Sequence, residues 1–337
     1  MNKLNKGAEK QMFNTIYVEE KAYEYPITKH VLEKFSDSTV VTIRHYKDVF
    51  NRPKQHHLIQ KKYQSLILAV KDRQLIYKGP DICQNFSHTN FYYTSFLLNC
   101  LFDCEYCFLQ GMYPSSNIVA FVNIEDFQKA IEEAAFEKQI YLVISYDTDL
   151  IALHNIIPYM EYFYEFFANH PNILVEIRTK SANQAFYIKY PPLENIITAF
   201  SLAPNEIIKR FERNTPPLES RIKAIKTAME KGFKVRICFD PVFAHPDMGD
   251  VYKRFFEYVF TQIDPDGLSD VGYGFFRMSR DYFKRIEKIR TNSLLFAEEY
   301  CIKDDIISYP ESITEKIRNE HFEILTKYIK KEKIFAL

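Results

Sequence analysis

The sequence predicts an α/β protein built around a partial (β/α)6 barrel, and three observations support this fold class. From about residue 93 onward, short apolar segments alternate with amphipathic segments of helical length. Glycine is scarce, with 8 in 337 residues, and no low-complexity segment or repeat of fixed period interrupts the alternation. Strands that alternate with helices of this length form βαβ units with a parallel sheet. Six such units give a sheet that curls without closing.

Four parts follow one another along the chain. Residues 1–13 are expected to be a flexible leader, and residues 14–92 an N-terminal α/β cap. Within the cap, "PITKHVLEKF" is typical of a helix, while "SLILAV" and "QLIYKG", joined by the polar turn "KDR", predict a β-hairpin. Residues 93–290 are the predicted barrel, and residues 291–337 a C-terminal helical extension.

Six segments with strand character make up the predicted barrel. In order, they are "TSFLLN", "QIYLVIS", "NILVEIRT", "NIITAFSL", "KVRICFD" and "DVGYGFFRM". Helices are predicted between them at "IEDFQKAIEEAAFEK", "MEYFYEFFANH", "LESRIKAIKTAMEKG" and "VYKRFFEYVFTQI". In such a barrel, functional side chains gather at the C-terminal ends of the strands and in the loops that follow them.

The composition is that of an ordinary globular protein, with 47% hydrophobic and 26% charged residues and no net charge. Zero net charge excludes a strong global attraction to nucleic acid, although a local basic face remains compatible with it. The N-terminus lacks the apolar core of a signal peptide, and no apolar run has the length needed to span a bilayer. We therefore expect a cytoplasmic protein without a membrane partner, whose cysteines stay reduced.

Three of the six cysteines, Cys100, Cys104 and Cys107, fall within eight residues, in the segment "NCLFDCEYCFLQ". Closely spaced thiolates hold iron–sulfur clusters, which usually take four cysteines. No fourth cysteine lies nearby in the sequence, so a [4Fe–4S] cluster on these three would leave one iron open to a small molecule. A zinc site would be closed by a second Cys or His motif, and none with that spacing appears. Such clustering after a predicted strand makes three incidental thiols the weaker explanation.

A C-x3-C-x2-C motif in a loop at the mouth of a partial α/β barrel resembles the radical S-adenosylmethionine superfamily. The resemblance implies a [4Fe–4S] cluster whose open iron binds S-adenosylmethionine, and reductive cleavage of that cofactor to a 5′-deoxyadenosyl radical. Further stretches are similar to spore photoproduct lyases, which repair a thymine–thymine lesion in spore DNA. These stretches are "IYVEEKAYEYPITKHVLEKF", "HLIQKKYQSLILAV", "CEYCFLQ", "FVNIEDF", "RTK", "FERNTPPLESRIKA" and "GFKVRICFDPVF", and the resemblance covers most of residues 14–260.

The same resemblance implies roles for individual residues. Cys100, Cys104 and Cys107 match the cluster ligands. Five residues occupy positions similar to those that contact the cofactor: Tyr106, Thr148, Lys180, Ser201 and Asp240. Lys180 follows a predicted strand, where its ammonium would meet the cofactor carboxylate. Without the resemblance, an ordinary solvated lysine explains Lys180 equally well.

Two departures from the family pattern concern the hydrogen-atom donor. Spore photoproduct lyases carry a donor cysteine just beyond the second barrel strand, where this chain has Tyr146. The tyrosine that usually follows the last cluster cysteine is Phe108 here. The candidate catalytic residues are then Tyr106, Tyr146 and Cys238. Tyr146 is either a hydrogen donor or a bulky wall residue, and Cys238 either points into the barrel near the cofactor or is a buried core thiol.

Three functions are compatible with these observations. The first is a spore photoproduct lyase-like carbon–carbon lyase, whose partners are a damaged thymine dinucleotide in DNA and an electron donor such as flavodoxin or ferredoxin. The family's lesion-gripping hairpin should fall near residues 295–312, where this chain has the shorter, acidic "FAEEYCIKDDIISYPESI", which repels phosphate. The second function is therefore a divergent radical S-adenosylmethionine enzyme with another substrate. The third is a non-catalytic iron–sulfur redox or sensing protein.

Overall fold

The computed structural model describes residues 12–245 and 248–337, and its larger sheet is an open eight-stranded one. The strands of this sheet are β4 (Tyr77–Lys78), β5 (Phe91–Tyr93), β9 (Ile140–Val143), β10 (Ile173–Thr179), β11 (Ile196–Ser201), β13 (Lys234–Val242), β14 (Leu268–Phe275) and β18 (Ile334–Ala336). They lie in the order β18-β14-β13-β11-β10-β9-β5-β4, and every pair is parallel except β4 with β5. Among the described residues, the edge strands β4 and β18 do not pair, so the barrel stays open. The predicted partial barrel is confirmed.

A second, five-stranded sheet lies beside the barrel. Its strands are β1 (Thr15–Glu19), β2 (Thr39–Ile43), β3 (Leu66–Ala69), β6 (Leu97–Leu98) and β8 (Ile118–Phe121). Their order is β2-β1-β3-β8-β6, with only the β6–β8 pair antiparallel. The two sheets exchange strands across the predicted boundary at residue 92, since β4 and β5 belong to the barrel sheet and β6 and β8 to the smaller one. The bounds of the predicted domains stay a prediction.

The predicted β-hairpin in the cap is wrong. β3 pairs with β1 and β8, whereas β4 pairs with β5 in the other sheet. All four residues of β3 are buried. This is typical of a central parallel strand with both faces covered, whereas a strand of a surface hairpin has one solvent-exposed face.

The first predicted barrel strand, "TSFLLN", is also wrong, and β5 takes its place beside β9. Only Leu97–Leu98 form a strand, which pairs antiparallel with β8. The two polar residues before this strand form side-chain hydrogen bonds. Thr94 Oγ1 donates to the Leu75 carbonyl at 2.7 Å, and Ser95 Oγ donates to Asp147. These bonds turn the chain from one sheet toward the other.

Helices pack on the outside of the sheets. The predicted helical segments are confirmed as α1 (Pro26–Lys34), α5 (Ile124–Ala134), α7 (Tyr159–Ala168), α10 (Leu218–Glu230) and α11 (Gly249–Gln262). The other helices are α2 (Lys47–Phe50), α3 (His57–Lys62), α4 (Leu109–Met112), α6 (Leu150–Leu153), α8 (Ala185–Lys189), α9 (Asn205–Phe211), α12 (Arg280–Ile289) and α13 (Glu311–Leu325). In the part of the chain that the structure describes, no helix combines the length and apolar character needed to cross a membrane.

Strand β13 separates the two sides of the barrel wall. Val235, Ile237 and Phe239 belong to the main core under the helices, where the Phe239 ring contacts that of Phe256 in α11 at 4.9 Å. Arg236 and Cys238 alternate with them and face the barrel interior. This is the period-2 alternation that the sequence predicts for "KVRICFD".

The two ends of the chain depart from prediction in different ways. The predicted leader lies outside the described residues except for Met12 and Phe13, and Phe13 is fully buried. The predicted helical extension contains α13 but also strands β16 (Cys301–Lys303), β17 (Ile306–Ser308) and β18. β16 and β17 form a hairpin that extends β15 (Arg277–Ser279) into a three-stranded sheet. Asp304 and Asp305, with φ of 50° and 59°, make the tight turn between them, so the acidic segment does form a hairpin.

Candidate functional site

A cavity of about 330 Å³ opens at the C-terminal ends of the barrel strands. Nine of the predicted site residues line it: Cys100, Cys104, Tyr106, Cys107, Tyr146, Thr148, Lys180, Ser201 and Asp240. Cys238 does not line the cavity. It is 1% exposed and packs with Phe86, Tyr141 and Ala199 inside the barrel, where burial raises its pKa to about 12. Asp240, two residues further along β13, reaches the mouth instead, so the geometry favours a core thiol at Cys238.

The loop that carries the three cysteines begins at Asn99. This residue has φ of 69°, a left-handed conformation that asparagine tolerates better than most residues. Its side-chain amide donates to the carbonyls of Ser115 at 2.8 Å and Asn117 at 2.7 Å. The bonds fix the sharp turn from β6 into the loop.

Contacts from distant parts of the chain hold this loop in place. Its strand β7 (Asp103–Cys104) pairs antiparallel with β12 (Glu212–Arg213). Gln110 Nε2 donates to the Cys104 carbonyl at 2.8 Å, and Arg290 donates to Gln110 Oε1 at 2.5 Å. From the other side, Gln64 Nε2 donates to the Cys100 carbonyl at 3.2 Å. The backbone around the thiols is therefore fixed independently of any ligand.

The three thiols fit a polynuclear metal cluster. Burial raises the pKa of Cys100 to about 12 and raises the pKa of Cys104 and Cys107 as well. Buried thiols of this kind ligate as thiolates only when a metal supplies compensating positive charge. Three thiols around one cavity thus suit a [4Fe–4S] cluster, in which each thiolate binds a different iron and one iron has no protein ligand.

Two polar groups in the cavity are open to a ligand. Thr148 Oγ1 is shielded from solvent and has no hydrogen-bond partner in the described part of the chain. The Lys180 ammonium forms no salt bridge with any described residue and lies 5.5 Å from the centroid of the Tyr106 ring. Asp149 accepts the Lys180 backbone N–H at 2.8 Å, which fixes this residue at the end of β10. A half-buried cation with an unpartnered hydroxyl fits a cofactor that carries a carboxylate, as S-adenosylmethionine does.

Tyr106 belongs to a buried network that joins the cysteine loop to the barrel. Its hydroxyl donates to Glu212, and Glu212 forms a salt bridge with Arg221. The side chains of Glu212 and Arg221 are 1% and 0% exposed, and Arg221 also donates to the Ser201 carbonyl at 3.1 Å. Burial and the adjacent Glu212 carboxylate raise the pKa of Tyr106. The phenol is thus fixed as a donor to Glu212, and its ring faces Lys180.

Phe108 and Tyr146, the two residues that depart from the family pattern, are in contact with each other. The rings of Phe108 and Tyr146 are 5.3 Å apart, and the Tyr146 ring also contacts Tyr93 at 4.3 Å. The Tyr146 hydroxyl accepts a hydrogen bond from the Cys83 thiol, with 3.7 Å between Sγ and the phenol oxygen. Burial raises the pKa of Cys83, so its sulfur keeps its proton at neutral pH.

Sequence reasoning missed Cys83 and Arg277 as cavity residues. Cys83 is a lone cysteine in the segment that the sequence places in the cap, and no local pattern marks it. Arg277 stands at the end of a predicted strand and forms a bidentate pair with Asp240, both contacts being 3.1 Å. The Asp240 carboxylate, predicted to contact the cofactor, is thus paired with this arginine.

The model of the spore photoproduct lyase family matches residues 11–295 of the chain. The chain belongs to the spore photoproduct lyase family. The spore photoproduct lyase of Bacillus subtilis is 23% identical over 275 residues, which cover 77% of this chain and 76% of the relative. The spore photoproduct lyase of Clostridium acetobutylicum is 21% identical over 254 residues, 72% of each chain.

Solved structures of spore photoproduct lyases have the same fold. One complexed with dinucleoside spore photoproduct matches with a TM-score of 0.82 at 15% identity, and a mutant with bound AdoMet and the same dinucleoside matches with 0.81 at 17%. Each comparison covers 96% of this chain and 98% of the other. The family membership confirms the resemblance recognised in the sequence, and the structures confirm the fold class.

Proposed function

We propose that this chain is a radical S-adenosylmethionine lyase that repairs the spore photoproduct, a thymine dimer lesion in DNA. The observation that carries this proposal is the convergence of three cluster thiols, an open cationic pocket and a thiol–phenol pair on one cavity. Relatives named for this lesion-repair activity support it, as does a solved relative that holds both AdoMet and the dinucleoside lesion.

Each cavity residue has a distinct part in this proposal. Cys100, Cys104 and Cys107 hold the cluster, and Lys180, Thr148 and Ser201 hold S-adenosylmethionine. When bound, these groups supply a 5′-deoxyadenosyl radical that removes a hydrogen atom from the lesion. The lesion must leave the base stack to reach such a deep cavity, at a cost of roughly a few kcal/mol.

Lys180 is expected to hold the cofactor carboxylate, so Lys180→Met should weaken S-adenosylmethionine binding by about 10- to 100-fold, the value of a charge-assisted hydrogen bond. Equilibrium binding to cluster-loaded protein measures this, with the iron–sulfur absorption showing that loading is unchanged. Lys189→Met, which alters a lysine on the protein surface, is the matched control. Equal affinity in Lys180→Met and Lys189→Met would remove Lys180 from the cofactor site.

Cys83 is the hydrogen-atom donor of this proposal. Cleavage of the lesion cross-link leaves a carbon-centred radical on thymine. The Cys83 S–H bond breaks as a C–H bond forms on that carbon, and the unpaired electron moves to sulfur. The Tyr146 phenol lies within hydrogen-bond distance and returns a hydrogen atom to the sulfur, which places the radical on the phenol oxygen. One electron from a reduced flavodoxin or ferredoxin and one proton from water then restore the phenol. The donor thiol is therefore retained in this chain on a different segment.

The acidic hairpin supports a second candidate, a radical S-adenosylmethionine enzyme with a substrate other than DNA. Asp304 and Asp305 form its turn, and Glu298 and Glu299 precede β16. Carboxylates in these positions repel a phosphate backbone. The test described below separates the two functions.

We infer that the reducing electron comes from an acidic flavodoxin or ferredoxin. Residues 44–63 hold six Lys or Arg residues and one Asp, in a chain without net charge. This segment, all of it described, contributes no residue to the cavity wall, yet its Lys61 donates to the Cys100 carbonyl. A basic surface beside the cluster loop complements an acidic donor and leaves the substrate entrance free.

The experiment that tests the proposal is an anaerobic assay of reconstituted protein with S-adenosylmethionine and dinucleoside spore photoproduct. With dithionite or reduced flavodoxin, we expect both 5′-deoxyadenosine and repaired dinucleoside, and neither from Cys104→Ala. Release of 5′-deoxyadenosine without repair would indicate the second candidate function. A loaded cluster that never yields 5′-deoxyadenosine would indicate a non-catalytic iron–sulfur protein.

A further inference from the structure

Arg277 connects the segment that carries Cys83 to the barrel wall. Its Nε donates to the carbonyl of Ile82, the residue before Cys83, at 2.9 Å. Its two terminal nitrogens donate to the two oxygens of Asp240, at the end of β13. The side chains of Arg277 and Asp240 are 19% and 16% exposed, so solvent screens this pair only weakly. One side chain thus bridges a loop carbonyl and a carboxylate of the barrel.

The contact requires an arginine. A guanidinium presents donors along two edges of a rigid plane, so it pairs with a carboxylate and a carbonyl at once, whereas a lysine ammonium cannot bridge the two with fixed geometry. The neighbouring Gly274 leaves room for it, because a Cβ there would lie 2.8 Å from Arg277 Nη1. The backbone of β14 is therefore shaped around this guanidinium.

The segment between β4 and β5, residues 79–90, is here called the thiol loop. It is held at both ends, where the Gly79 N–H donates to the Phe91 carbonyl at 2.8 Å and the Asn90 side chain donates to the Gln139 carbonyl at 2.9 Å. It contains no strand, and its Cys83 N–H donates to the Pro80 carbonyl at 3.0 Å within the same loop. Its far end is held by Phe86, which is 4% exposed inside the barrel beside Tyr141. Cys83 lies between the Phe86 contact and the Arg277 contact. Without Arg277, the backbone beside Cys83 would keep only its local bond to Pro80, and the thiol its 3.7 Å hydrogen bond to Tyr146.

We propose that Arg277 is a positioning residue that fixes the Cys83 thiol at the cavity through the Ile82 carbonyl. This inference rests on the proposed role of Cys83 as hydrogen donor. A donor displaced by about 1 Å loses on the order of 100-fold in rate. The substrate radical then lives long enough to be quenched by reactions other than hydrogen transfer from Cys83. The variant enzyme continues to cleave S-adenosylmethionine but repairs fewer lesions per cleavage.

The first measurement is the number of 5′-deoxyadenosine molecules released per lesion repaired. Arg277→Met should raise this ratio by about tenfold. Arg277→Lys keeps a cation beside Asp240 but loses the contact with Ile82, so it should also raise the ratio. Full rescue by Arg277→Lys would overturn the inference. Arg280→Met, which alters an arginine paired with Asp305 in the same region, is the matched control and should leave the ratio unchanged.

The second measurement needs no cluster. N-ethylmaleimide labelling of Cys83 in cluster-free protein, mapped by mass spectrometry, should be about tenfold faster in Arg277→Met because the thiol loop opens more often. Arg280→Met should label at the wild-type rate. Equal labelling in wild type and Arg277→Met would contradict the inference.

A double variant separates failure of this inference from failure of the proposed function. If Arg277 acts through Cys83, adding Arg277→Met to Cys83→Ala leaves the ratio of Cys83→Ala unchanged. A further increase in the double variant would show that Arg277 acts elsewhere. If Cys83→Ala alone leaves the ratio at its wild-type value, the donor assignment fails, whatever Arg277→Met does.

Discussion

Replacement of Cys83 by alanine is expected to lower lesion repair by about 100-fold or more, because no other thiol of the described residues lines the cavity beyond the cluster ligands. Release of 5′-deoxyadenosine should continue, since Cys83 is not among the residues proposed to bind cluster or cofactor. The measurement is repaired dinucleoside and 5′-deoxyadenosine from the same anaerobic reaction.

Isotope incorporation gives this prediction a second readout. A thiol exchanges its hydrogen with water, so repair in D2O by the wild-type enzyme should place solvent deuterium in the thymine product. Cys83→Ala should lose both the repair and this label. Cys238→Ala and Cys301→Ala are matched controls, because Cys238 is enclosed in the barrel and Cys301 lies on the hairpin. Repair at the wild-type rate by Cys83→Ala would refute the assignment.

The replacement Glu212→Gln is expected to destabilise the cluster-free protein by about 3–5 kcal/mol, the cost of leaving one member of a buried ion pair without its partner. Arg221 would keep its charge with 0% side-chain exposure, and the Tyr106 hydroxyl would lose a charged acceptor. Since β12 carries Glu212 and pairs with β7 of the cysteine loop, cluster retention should fall as well. Urea denaturation with an unchanged m-value measures the loss of stability.

The pH dependence of this effect has a defined sign. Burial alone would raise the pKa of Glu212, but the Arg221 guanidinium and the Lys180 ammonium hold that pKa below its ordinary value of 4.5. The carboxylate therefore stabilises the fold above pH 4.5, and this contribution is lost as the pH falls through the lower folded-state pKa. The stability gap between wild type and Glu212→Gln should shrink over that range. Glu194→Gln, at a pair whose carboxylate is 94% exposed, should cost less than about 1 kcal/mol at any pH.

The sequence predicts most of the barrel and the cluster loop because both are encoded by local patterns. Apolar periodicity identifies the barrel strands β9, β10, β11, β13 and β14 and the helices α7, α10 and α11, and three cysteines in eight residues mark the metal loop. The hairpin prediction fails for "SLILAV" because an apolar run does not reveal which strands become its neighbours. In the structure, these neighbours are β1 and β8.

Cys83, the proposed donor thiol, was out of reach of sequence reasoning for a different reason. Cys83 meets Tyr146 across 63 positions of the chain, and Arg277 meets Ile82 across 195. A single sequence contains no record of such contacts, and an isolated cysteine is more often a packed thiol than a reactive one. The sequence does place Tyr146 and Phe108 at altered positions of the family pattern. The sequence does not reveal which side chains lie beside Tyr146 and Phe108 in the fold.

The thiol loop joins the two strands at one edge of the barrel, outside the β/α units that carry the groups proposed to bind cluster and cofactor. In the proposed mechanism, the thiol that quenches the substrate radical therefore lies on a different segment from the three cluster cysteines. Under the proposed role of Cys83, assigning activity from the single position held here by Tyr146 would misclassify this chain. Comparison of cavity walls in three dimensions avoids that error.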